Sequence, residues 1–70
     1  MAEAHIELDK RETAKITNML KTATSDVTTK FNAICSAVLD KRGIENYRPP
    51  FEVVIGLGGL AVKLVYWEEG

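Results

Sequence analysis

The side chains able to do chemistry in this chain are few and far apart. The single histidine, His5, has Asp9 as its i+4 neighbour, and those two groups could share a metal ion. A zinc site takes three or four ligands, and no second histidine or further cysteine is there to supply them. The single cysteine, Cys35, falls at the border of an apolar helical sector, which suits a small core residue better than an activated thiolate. No serine, histidine and acid combine into a triad, because His5 sits in a terminal segment. Gly56-Leu-Gly-Gly59 resembles a phosphate loop only superficially: an apolar strand pattern follows it, where a helix start would have to aim its amides at the phosphate. These types and spacings lead to no catalytic residue, no cofactor and no metal.

Two further constellations could bind rather than react. Lys10, Arg11 and Lys15 cluster near the start of the helical segment, and Lys41 and Arg42 near its end, as in a nucleic-acid footprint. Glu3, Glu7, Asp9 and Glu12 interleave the first group, and the net charge is −1. Without a basic excess, nucleic-acid binding is the alternative reading and not the first. Tyr47 and Arg48 are residue types enriched in interface hot spots. The bland reading has Tyr47 closing the end of the core and Arg48 solvated. With a neighbouring copy's His5 or glutamate they could build a small enzyme site between subunits, a second alternative for which few convergent polar groups are on offer.

The elements that must position these residues fit one small domain. Seventy residues lie near the size where a single core is barely sufficient, and one cysteine forms no internal disulfide staple. A hydrophobic content of 46% with 27% charge suits a folded protein. The start, Met-Ala-Glu-Ala-His, lacks the basic region and apolar run of a signal peptide, so a reducing, cytoplasmic setting is expected.

Residues 51–67 read as a β-hairpin. Folding at Gly58-Gly59 sets Leu57 against Leu60, Ile55 against Val62, Val53 against Leu64 and Phe51 against Tyr66. Strand side chains alternate, so those eight form one greasy face, and a Gly-Gly pair suits a two-residue turn needing positive φ. A membrane span is not expected, since the stretch is short of about 20 residues and carries Glu52 and Lys63. The opposite face holds Glu52, Val54 and Gly56 against Ala61, Lys63, Val65 and Trp67, too apolar to be merely solvated.

Residues 9–43 read as helix. Asp9 and Glu12 form a capping box at the start; Gly43 and Ile44 mark a Schellman-type end, with Ile44 folding back on Leu39. Ile16, Met19, Leu20, Ala23, Val27, Phe31, Ile34 and Val38 fall in one apolar sector, and no Gly or Pro interrupts. That phase favours one continuous helix, with a kink or break near Thr24 to Asp26 as the alternative. Residues 44–50, with Pro49-Pro50, form a stiff connector. Residues 1–8 are an arm or short strand, since His5-Ile6-Glu7-Leu8 alternates.

A continuous helix would be about 50 Å long, whereas a seven-residue strand spans about 23 Å. The stripe then outruns the sheet, which calls for another chain to cover the rest. The expected fold is therefore α+β, a long amphipathic helix on an antiparallel hairpin. The expected function is non-enzymatic: a scaffold or inhibitor that associates with itself as a dimer or larger, and with another protein, away from membranes. The interface candidates are Val54, Val65, Trp67, Tyr47, Arg48 and Met19. Small accessory proteins of viruses and mobile elements share this profile by analogy alone.

Overall fold

The computed structural model describes residues 2–22 and 25–69. It is an α+β fold whose elements are β1 (Ala2–Glu7), α1 (Lys10–Thr22), α2 (Val27–Lys41), β2 (Tyr47–Ile55) and β3 (Ala61–Glu68). The strands form one antiparallel sheet in the order β1-β3-β2, with both helices on one face. The N-terminal arm is thus a third strand, longer than its alternating residues suggested, and it pairs with β3 from Ala2↔Glu68 to Glu7↔Lys63.

Both ends of the helical region follow their sequence signals. The Asp9 amide donates to Glu12 Oε1 at 2.9 Å, and the Glu12 amide donates to Asp9 Oδ1 at 2.8 Å, a reciprocal capping box. At the other end Gly43 takes φ 77°, and the Ile44 amide donates to the Leu39 carbonyl at 3.0 Å, the Schellman closure.

The continuous helix, by contrast, is not what forms. The chain breaks between Thr22 and Val27, with Ser25 and Asp26 in a bend and Asp26 at φ 55°. Ala23 and Thr24, a stripe member and a break candidate, lie outside the described residues. Asp reaches the left-handed region more readily than most residues, so the bend does not need glycine. The deciding term is length. The 13 residues of α1 and 15 of α2 span about 20–22 Å and fit within strands of 8 and 9 residues, about 26–30 Å long, whereas one rod overhangs. Doubling back lays both apolar stripes on the same sheet, and the overhang that called for a covering partner disappears.

The core follows from that doubling. Ile6, Leu64 and Val53 make one rung across all three strands. Cys35, Val38 and Leu39 of α2 pack on Leu64, Tyr66 and Phe51, while Ile16 of α1 is also fully buried. Cys35, read as a core residue at the border of the stripe, and Leu39, outside it, are completely enclosed. Burial pushes the Cys35 thiol up to about 12, so it stays protonated and unreactive at neutral pH.

The hairpin keeps its central register, with Val53 opposite Leu64, but departs at both ends. Near the turn Ile55 pairs with Ala61 and not Val62, because Val62 is the extra residue of a bulge, and the shift buries Ala61 completely instead of leaving it on the opposite face as strict alternation expects. The turn is accordingly longer than two residues. Gly58 has φ 80° and ψ 6°, the third position of a type II turn, and the Gly59 amide donates to the Gly56 carbonyl at 3.2 Å. At the far end a second irregularity falls between Arg48 and Glu52, around Pro49-Pro50, and removes the Phe51–Tyr66 pair. β2 begins at Tyr47, so the connector spans only 42–46 and the two prolines stand in an edge strand. The eight-residue face is therefore only partly covered: Leu64 and Tyr66 are buried, while Ile55 is half exposed and Leu57 stands 99% exposed at the tip.

The bulge also creates the contact that ties α1 to β3. The Ala61 amide donates to the buried Thr17 Oγ1 at 3.0 Å. Thr17→Val keeps the shape and removes the acceptor, leaving a buried N–H unpaired. The expected loss is about 1–3 kcal/mol in a denaturant melt. Thr17→Ser, which keeps the oxygen, should lose clearly less.

Candidate interaction surfaces

Strand alternation decides which side chains the sheet presents away from the helices. The outer face carries three rungs: Glu3, Trp67 and Arg48; His5, Val65 and Glu52; Glu7, Lys63 and Val54. Among the described residues no element lies over it. Trp67 and Val65 are only partly buried, screened by their neighbours, and Val54 is 45% exposed. Val54, Val65 and Trp67 thus share one surface, as the alternation expected, and Arg48 of the expected connector joins them opposite Trp67. Arg48 forms an ion pair with Glu69.

The remaining interface candidates sit elsewhere. Tyr47 is on the inner face, where its hydroxyl donates to Asp40 Oδ1 at 2.8 Å and its ring tilts against Phe51 at 5.9 Å. That is the core-closing role, and it puts Tyr47 and His5 on opposite faces of the sheet, so one molecule does not bring them together. Met19 is buried, held inward once α1 lies on the sheet, and offers a partner little surface. His5 sits exposed in a strand, while Asp9 is engaged in the capping box.

The helix break gathers cations that a continuous rod would hold apart. Lys15 and Lys41 are 26 positions apart, about 39 Å on one helix. With the helices antiparallel, Arg11, Lys15 and Lys41 line one cleft of about 340 Å³ together with Glu12, Ile34, Ala37 and Val38. Among the described residues none of those three cations is in an ion pair. Arg42 turns away to Glu12 at 2.5 Å, and its guanidinium also donates to the Glu7 carbonyl at 2.6 Å. Lys10 is exposed and outside the cleft lining.

The net charge of −1 hides a polarity that this arrangement exposes. Lys10, Arg11, Lys15, Lys21, Lys30 and Lys41 stand on the helices against only Glu12 and Asp40. The strands carry Glu3, Glu7, Glu52 and Glu68 against Arg48 and Lys63. One layer is basic, the other acidic.

A third surface was not foreseen from sequence. A groove of about 630 Å³ runs between α2 and β2, lined by Leu20, Val27, Phe31, Pro49, Pro50, Phe51 and Val53 among others. Leu20 and Val27, counted in the apolar stripe, are about 40% exposed here because the break leaves them at the open end of the helical pair. No protein-family model, curated protein or solved structure matches this chain. Among the described residues no helix is long and apolar enough to cross a membrane.

Proposed function

We propose that this protein acts without catalysis, by associating with copies of itself and thereby scaffolding or occluding a partner protein. The observation that carries the reading is the bare outer face of the sheet, where Val54, Val65 and Trp67 lie within one set of adjoining rungs. A half-apolar surface with a valine at its middle and a tryptophan at one end gains by burial against another protein, and charged residues on the flanking strands fit an interface rim. The exposed apolar tip and the α2–β2 groove add to the area available for association.

Sedimentation across the micromolar range tests this directly. The wild-type chain is expected to gain mass with concentration, and Val65→Arg, placed mid-face on the central strand, to remain monomeric with its melt little changed. A wild-type chain that stays monomeric throughout removes the self-association.

A second reading, nucleic-acid binding, is favoured by one observation: the cleft collects Arg11, Lys15 and Lys41. It requires a salt-dependent mobility shift that Lys15→Glu/Lys41→Glu abolishes.

A further inference from the structure

The cleft between the helices and the outer sheet face are chemically matched to each other. The cleft has an apolar floor of Ile34, Ala37 and Val38 and a rim of three cations without ion-pair partners among the described residues. The sheet face has an apolar strip with acids beside it. Trp67 is flanked directly across the strands by Glu3 on one side, and on the other by Arg48, whose charge is met by Glu69. Further along, Glu52 adjoins Val65.

We infer that a second copy of this chain occupies the cleft, head to tail, with its Trp67 inserted between the helices and its Glu3 meeting the cationic rim. This rests on the self-association proposed above and specifies its geometry. Three arguments favour it. An indole supplies a large flat apolar body for the floor and a π face for Arg11 or Lys15. The acid next to it sits where the rim needs a counter-charge. The competing symmetric arrangement, sheet face on sheet face, sets Glu3, Glu7 and Glu52 against a copy whose one cation without an ion-pair partner among the described residues is Lys63, a poorer charge match than the three cations of the cleft rim offer. Because the two surfaces lie on opposite sides of the molecule, each copy can accept one neighbour and donate to another. Such contacts propagate into a ring or a filament.

Two variants and their mixture test this. Arg11→Glu/Lys41→Glu disables the cleft, and Trp67→Ala/Glu3→Lys disables the sheet face; each should melt cooperatively and each alone should weaken association at least tenfold. Mixed in equal amounts, they should form a 1:1 dimer that does not grow, because one intact cleft and one intact sheet face remain. If the cleft variant fails to melt cooperatively, Arg11→Gln/Lys41→Gln replaces it. A cleft variant that assembles like wild type, while the sheet-face variant does not, overturns the head-to-tail geometry and leaves self-association standing. A wild-type chain that never associates removes both, and an oligonucleotide shift in that monomer would assign the cleft to nucleic acid.

Discussion

Leu64→Ala is expected to remove about 2–5 kcal/mol of stability, whereas Leu57→Ala, seven positions earlier, should change it by less than about 0.5 kcal/mol. In sequence the two leucines are equivalent members of one alternating face. In the structure Leu64 is completely enclosed, the middle of the Ile6–Leu64–Val53 rung, and Leu57 is 99% exposed at the hairpin tip. Truncating Leu64 opens a void bounded by three strands and α2, and the elements around it are joined by short connections that limit collapse. A chain of this length holds only about 4–10 kcal/mol in all, so the loss takes a large share of the total. At about 4–8 °C per kcal/mol the midpoint should fall by about 8 °C or more. Thermal melts at low protein concentration read both variants. If Leu57→Ala costs as much as Leu64→Ala, the tip is packed and the exposed end of the hairpin has been misread.

The contrast between those leucines shows what was legible in the chain. Signals that act over three to five residues read correctly, the Asp9–Glu12 capping box and the Gly43–Ile44 termination, and so did the pairing of Val53 with Leu64 within one hairpin. What failed was settled by distant competition. The apolar stripe runs through residues 20–27 in sequence, yet α2 buries a side rotated from it, through Cys35, Val38 and Leu39, and leaves Leu20 and Val27 about 40% exposed, so periodicity alone does not reveal the turn. The choice between one rod and two short helices belongs to the length of the strands, which no local window contains. The bulge at Val62 escaped for a related reason: Thr17, 44 positions away, takes up the Ala61 amide that the shifted ladder frees.

The interaction surfaces divide in the same way. Alternation alone puts Val54, Val65 and Trp67 on one face, and the structure leaves that face bare and adds Arg48 to it. The meeting of Arg11 and Lys15 with Lys41 was hidden, because it exists only if the helix breaks. Two basic clusters at the ends of a rod look like separate solvated ends; folded back, they become the rim of one cleft. Met19 changes role for the same cause, from a residue on an overhanging stripe to a buried one.

Glu12 is where that fold-back is fastened, and its loss should be the second large effect. Its Oε1 accepts from the Asp9 amide and from Arg42, while Arg42 also reaches the Glu7 carbonyl. One carboxylate therefore links the end of β1, the start of α1 and the end of α2. Glu12→Ala removes a cap and a charge-assisted bond together, an expected loss of about 2–4 kcal/mol. Glu12→Gln keeps an acceptor for the cap and should lose roughly half as much. Acid separates the two contributions. Burial alone would raise the Glu12 pKa, but the hydrogen bond from Arg42, the Asp9 amide and the Arg42 charge outweigh it and hold it below the ordinary glutamate value. A folded-state pKa lowered in this way stabilises the protein fully above the range where a free glutamate titrates. The stabilisation is then lost as pH falls through the folded-state value. The stability gap between wild type and Glu12→Gln should thus be constant near neutrality and close in acid, where the protonated glutamic acid resembles glutamine. Urea midpoints of the two proteins across that range measure the gap; a gap that persists undiminished in strong acid means that the Arg42 bridge does not depend on the charge of Glu12.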